Sequence, residues 1–353
     1  MKKIYKTLAL LLIVTLALSM FSACGEGTPS QGPAGTQPPQ SAANQAVSPP
    51  SEPQEAPTQV FSIGIINLVE HPALYAAREG FLAALRDEGI EFVYEYLNAQ
   101  GDIPTLATIA QRFVNNDVDL ILAITTPGVQ TMSAETYNIP IVGTAITCYV
   151  TAGVVYSNEE PGHNVTGASD MNPIEAQINM IFEFVPDMQT LGIIYSSNEA
   201  NSVLQAEIAR NVAETLGLAV VEGTVTTTGD VQQNTMSVAG RVDAIWIPTD
   251  NTHADAMPIV GDVSITTGVP IFPGEENMAM GGGVATLSVN YFELGQQSGR
   301  MAAQILRGEG EPATMPIQFA QRYNYTVNGF MVDELGISVP ERFVGSIRFP
   351  DEN

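Results

Sequence analysis

From residue 60 onward the chain alternates short apolar runs with stretches whose apolar residues fall three to four apart. The run at 60–67 is followed by Leu74, Ala77, Phe81 and Leu85, one face of a helix over 73–88 that Gly89 stops. Runs at 92–97, 118–124 and 139–144 come next. Between them lie an amphipathic stretch marked by Leu106, Ile109, Ala110 and Phe113 and a helix starting near Pro127. The rhythm then restarts, with helices at 174–184, 203–216 and 231–238 and strands at 191–195, 218–221 and 242–247. Strands at 269–272 and 284–289 follow, and Leu294, Ser298, Met301 and Ile305 define a helix closed by Gly308. Strands separated by helices of this length build βαβ units on a parallel sheet. Two such series predict an α/β protein with two doubly wound lobes and a ligand cleft between them.

The first residues carry a different message. Lys2, Lys3 and Lys6 precede the apolar run 8–18, and residues 19–23 lead into Cys24. This order predicts a signal peptide over 1–23, with an apolar centre too short for an ordinary membrane span. Phe21-Ser22-Ala23-Cys24 resembles a lipobox with Phe21 in place of the usual Leu, so Cys24 is expected to carry lipid. Residues 24–58 are rich in Pro, Gln, Ser, Ala and Gly, which predicts a disordered, semi-rigid linker.

Charge and cysteine usage narrow the function. There are 38 acidic against 13 basic residues, a formal charge of −25, which argues against nucleic acid as a partner. Cys24 and Cys148 are the two cysteines, so with Cys24 lipidated neither a disulfide nor a Cys-based metal site is expected. The chain lacks Gly-x-Ser-x-Gly, His-Glu-x-x-His and a Gly-x-Gly-x-x-Gly after the first strand. Its three histidines, His71, His163 and His253, have no nucleophile motif to serve. The expectation is a binding protein without enzymatic activity, cofactor or metal.

Ligands of open α/β sheets bind beyond the carboxyl ends of the strands. Those ends read Asn67 to Pro72, Thr125-Thr126-Pro127, Thr144 to Thr147, Ser196 to Asn201, Thr249 to Thr252 and Gly274-Glu275-Glu276. Thr126 and Pro127 read as an N-cap and N1 pair whose free N–H groups suit a carboxylate. Asp250 in the opposite lobe suits an ammonium group. Together they predict a zwitterion held from both sides. The same residues serve equally well as plain helix caps, Trp246 is most simply core, and Tyr291 is either core or cleft.

At these positions the chain resembles the ABC-transporter substrate-binding proteins of the tryptophan/tyrosine-uptake type. The resemblance rests on the run 69–74, the stretch 165–170, Glu199-Ala200-Asn201 and Asp250-Asn251-Thr252, in that order, and extends from about Phe61 to Val339. It implies a type I periplasmic-binding-protein fold, two Rossmann-like lobes joined by three crossover strands. The lobes are expected at 59–168 plus 291–320 and at 169–290 plus 321–350. It also implies a small-molecule ligand, an aromatic amino acid, handed to an ABC permease and its ATPase. The implied ligand contacts are Glu70, His71, Thr125, Thr126, Thr144, Asp170, Glu199, Asn201, Asp250, Asn251 and Tyr291, the last stacking on the ligand ring. The group commonly reads Thr-Asp-Pro after the fourth strand, where this chain has Thr147-Cys148-Tyr149, expected to place a bulky aromatic at the cleft rim. Tyr75 stands where an Asp is frequent in the group's Glu-His-Pro motif. The protein is expected to be a monomer on the outer face of the bacterial membrane, held there by Cys24. The alternatives are a sensory lipoprotein feeding a membrane receptor or kinase, and a sugar or nucleoside carrier.

Overall fold

The computed structural model describes residues 59–350, so the expected signal peptide, Cys24 and linker lie outside the described residues. The first series runs β1 (Phe61–Asn67), α1 (Pro72–Asp87), β2 (Phe92–Asn98), α2 (Ile103–Asn115), β3 (Leu120–Ile124), α3 (Thr126–Glu135), β4 (Ile141–Ile146) and β5 (Val165–Ser169). The second begins with α4 (Ile174–Phe184), β6 (Thr190–Ser196), α5 (Ala200–Thr215), β7 (Ala219–Val225), α6 (Val231–Ala239) and β8 (Ala244–Ile247). It continues through α7 (Asn251–Asp255), α8 (Met257–Thr267), β9 (Ile271–Pro273), α9 (Glu276–Gly282) and β10 (Ala285–Ser288). The last elements are α10 (Tyr291–Leu306), β11 (Gln318–Phe319), β12 (Asn324–Asn328), α11 (Gly329–Leu335) and β13 (Ile347–Arg348).

Three sheets result. One has six parallel strands in the order β11-β5-β4-β3-β1-β2, and one has four in the order β7-β6-β8-β9. Each large sheet reverses its winding beside its first strand, between β1 and β3 and between β6 and β8. These are the switch points where a doubly wound sheet opens a crevice. Central strands are buried on both faces, as covered parallel sheets require: every residue of β3 and β4 is out of solvent. The partial exposure of every residue of β2 belongs to its place at the edge.

The strand expected at 284–289 is present as β10, and it pairs antiparallel with β12, which pairs with β13 in a separate three-stranded sheet. Its partner strand lies beyond α10 and β11, a pairing that no local pattern encodes. The strand β5 was read only as part of a motif, because Thr166, Gly167 and Ser169 dilute its apolar signal.

The chain passes three times between the side built on the six-stranded sheet and the side that holds the other two sheets, at residues 170–173, 289–290 and 320–323. Hydrogen bonds tie these passages together. Val289 N donates to Asn172 Oδ1 at 3.0 Å, and Tyr323 OH donates to the Met171 carbonyl at 3.4 Å. On the first side, α10 packs on α1 so closely that a Cβ on Gly295 would lie 1.9 Å from the Ala77 carbonyl oxygen. On the other, Trp246 is fully buried in β8 and donates to Gln177 Oε1 at 3.2 Å, as a core residue should.

Candidate functional site

The carboxyl ends of the two large sheets face a common cleft. Its inner part is narrow and takes lining from both sides. His71 and Leu74 come from the β1–α1 junction, and Ala145 and Thr147 from the end of β4. Asn201, Thr249, Asp250, Asn251, Glu275 and Met278 come from the ends of β6, β8 and β9. Asp170 and Tyr291 belong to the passages between the sheets. A wider, outer part of the cleft is lined by Val69, Gln100, Glu199, Thr226, Asn251 and their neighbours.

Six of the expected contacts therefore line the inner cavity: His71, Asp170, Asn201, Asp250, Asn251 and Tyr291. Glu199 lines the outer part. Glu70 lines neither. Its carboxylate accepts from Tyr96 OH and from Asn98 Nδ2 at 3.1 Å, and faces Arg78 at 3.7 Å on the outer surface. Thr125, Thr126 and Thr144 are buried, but they stand behind the lining. The N-cap of α3 is Thr125, with Thr126 at N1, so the expected Thr126–Pro127 cap is displaced by one residue. The N-terminus of α1 does reach the cavity, through His71 and Leu74, as do those of α5, α7, α9 and α10 through Asn201, Asp250, Glu275 and Tyr291.

Tyr149 is not at the cleft rim. It is fully buried in the first core, and its hydroxyl donates to the Ala168 carbonyl at 3.1 Å. Gly143 and Gly167, opposite each other on β4 and β5, make the room: a Cβ at either would lie 2.5 Å or less from the Tyr149 hydroxyl or a neighbouring atom. Tyr75 is half-exposed beneath the Arg78 guanidinium and does not line the cavity.

The acids of the cleft differ in what surrounds them. Asp250 caps α7 and accepts from Ser196 N at 2.6 Å, His253 N at 2.8 Å and His253 Nδ1 at 2.7 Å. Burial pushes this carboxyl up, but His253 and these hydrogen bonds hold it below the usual range. Its acceptor sites are thus largely committed inside the protein, which weakens its expected role as receiver of an ammonium group. Glu199 is buried and accepts from the backbone and side chains of both Asn251 and Thr252, fixing the entry to α7. Burial, then the neighbouring Asp250 charge, raises its pKa. Glu275 caps α9 through Asn277 N and Met278 N at 2.8 and 2.6 Å, and burial pushes it up to about 7. Asp170 is raised by burial, offset in part by hydroxyl donation from Tyr291 at 2.8 Å and Thr147 at 3.0 Å. Desolvation lowers the His71 imidazole to about 4, so it is neutral at physiological pH.

Glu275, Thr147 and Thr249 were visible as strand-end residues, but none of the three was among the expected contacts. For Glu275, its place one residue before a short helix was the available signal. Among the described residues, no Lys or Arg lines the inner cavity.

The family model for "ABC transporter substrate binding protein" matches residues 62–347. The chain belongs to this family. Such substrate-binding proteins work outside the cytoplasm, delivering a small molecule to a transporter. The protein is 35% identical over 313 residues to the tyrosine-binding protein of Clostridioides difficile strain R20291, covering 88% of this chain and 86% of that one. A crystal structure of an ABC domain in complex with L-Trp, from Streptococcus pneumonia, shares 33% identity at a TM-score of 0.79, covering 82% of this chain and 99% of that one. The ligand-free, open structure of a Clostridium difficile substrate binding protein with adhesive properties shares 36% identity at a TM-score of 0.64, covering 82% and 98%. This substrate-binding protein therefore superposes better on the L-Trp complex than on the open form, although identity to the open form is slightly higher.

Proposed function

We propose that this protein is a lipid-anchored substrate-binding component of an ABC importer that captures an aromatic amino acid by hinge closure. The observation that carries this reading is the inner cavity. It lies beyond the carboxyl ends of both large sheets, takes lining from both sides, and gathers Asp170, Asp250 and Glu275 without a lining Lys or Arg among the described residues. A ligand touching both sides stabilises the closed arrangement by its differential contacts. The tyrosine and L-tryptophan named for relatives above 30% identity favour an aromatic amino acid over the sugars of more distant neighbours. Those neighbours, at 12–16% identity, share only the fold.

The two lobes of this reading comprise 59–168 plus 291–320 and 169–290 plus 321–350. The ligand contacts are His71, Asp170, Asn201, Asn251 and Tyr291, with Asp250 and Glu199 acting through the loops they hold. Cys24 carries the lipid, and the protein acts as a monomer without cofactor or catalytic turnover.

Calorimetry of the full chain against the twenty amino acids, common sugars and nucleosides tests the ligand class. Selective, stoichiometric binding of Trp, Tyr or Phe is expected, and exclusive binding of a sugar or nucleoside would overturn it. Cys24→Ser is expected to move the protein from the membrane to the soluble fraction.

A further inference from the structure

Asn201, at the start of α5, is 5% exposed and lines the inner cavity. The orientation of its amide is settled by chemistry. Nδ2 lies 2.9 Å from the Thr249 carbonyl, an atom that only accepts, so the NH2 group must face it. The opposite atom, Oδ1, is a buried acceptor with no partner among the described residues. A buried acceptor without a donor costs about 1–3 kcal/mol, so a position like this calls for an N–H or O–H from elsewhere.

Two further lining residues present acceptors. Asp170 receives one hydroxyl on each oxygen, Thr147 Oγ1 at 3.0 Å and Tyr291 OH at 2.8 Å. An ionised carboxylate offers about four acceptor sites, so both oxygens keep capacity. Glu275 receives Asn277 N, Met278 N and Asn277 Nδ2, at 2.8, 2.6 and 3.2 Å, all from its own helix start. No cationic side chain of the described residues lines the cavity to satisfy these groups. Asp250, by contrast, is engaged by Ser196 and His253.

We infer that the cavity selects its ligand by a primary ammonium group seated against Asn201 Oδ1 and the carboxylates of Asp170 and Glu275, and that this contact outweighs any made to a ligand carboxylate. Aromatic primary amines are then ligands alongside amino acids, whereas deaminated aromatic acids are rejected. The inference deepens the aromatic amino acid reading and rests on it. A site built to accept hydrogen bonds discriminates strongly against an analogue lacking the donor, because its acceptors are left unsatisfied. Losing a ligand carboxylate, where the lining holds no Lys or Arg, strips no protein charge of its partner.

The test is calorimetric titration of the detergent-solubilised full chain with L-tryptophan and L-tyrosine, with tryptamine and tyramine, and with indole-3-propanoate and 3-(4-hydroxyphenyl)propanoate. Removing the ammonium is expected to weaken binding by about 100-fold or more, and removing the carboxylate by clearly less. A deaminated acid that binds within tenfold of its amino acid, or more tightly than the matching amine, overturns the inference while leaving the aromatic reading intact. If neither amino acid binds, the aromatic reading itself fails, and the inference with it. Asn201→Leu is expected to weaken both amines and amino acids by about tenfold with little change for the acids. Asp170→Asn makes the same comparison should Asn201→Leu not fold, and equal losses for all three ligand series would sink the proposal.

Discussion

The Asp250 carboxylate lies 2.7 Å from His253 Nδ1, and neither side chain reaches solvent. The pair closes the first turn of α7, since the same Asp250 oxygen also accepts from His253 N. Breaking a buried pair by neutralising one partner costs about 3–5 kcal/mol. Asp250→Ala is therefore expected to lower stability by an amount near that range, read from the urea midpoint at pH 7. Full stability with selective loss of ligand affinity would return Asp250 to direct ligand contact.

Glu275 makes stability fall with rising pH. Its folded pKa of about 7 exceeds the ordinary value of 4.5, so the folded state holds the proton more tightly than the unfolded chain. The resulting stabilisation is present in full below about 4.5 and is lost as pH rises through 7. Glu275→Gln keeps the size and removes the titration. Thermal unfolding from pH 5 to 8 is expected to decline less steeply in that variant than in the parent. Parallel curves would show that Glu275 does not titrate in this window.

Gly295 is placed where α10 meets α1, with room for a hydrogen and nothing larger. Gly295→Ala drives a methyl into the Ala77 carbonyl and must push the helices apart. The expected cost is about 1–3 kcal/mol, measured by denaturant unfolding. A neutral result would mean that the helices sit further apart than described.

Trp246 is the sole tryptophan in the chain, buried in β8 and absent from the cavity lining. Its emission is expected to be blue, resistant to acrylamide and unchanged when tyrosine or phenylalanine binds. A large ligand-induced change would require closure to reorganise the core around β8.

Much of the architecture was legible because most of the long helices and parallel strands carry their own periodicity. The helix over 174–184 follows from Ile174, Ile178 and Ile181 alone. The strand β12 was not legible, since its partners lie far away in sequence and its polar start at Asn324 reads as loop. In the site, strand-end position identified His71, Asn201 and Asp250 but could not tell lining from support. Glu70 and His71 are adjacent, yet one faces Tyr96 on the surface and the other faces the cavity. That choice is set by the extended backbone of His71 just before the helix starts. Tyr149 misled for a related reason: the space it fills is created by two glycines on separate strands, Gly143 and Gly167.

Met171, Asn172, Val289 and Tyr323 bind the three inter-sheet passages to one another. Three adjacent pins restrain a door to a single swing, and three linked passages would likewise oppose sliding and twisting of one side against the other. Under the proposed hinge closure, whatever the cavity captures would be announced to the outside as an angle. A docking partner would not need to inspect the ligand at all, because the separation of two distant surfaces would report whether the door is shut.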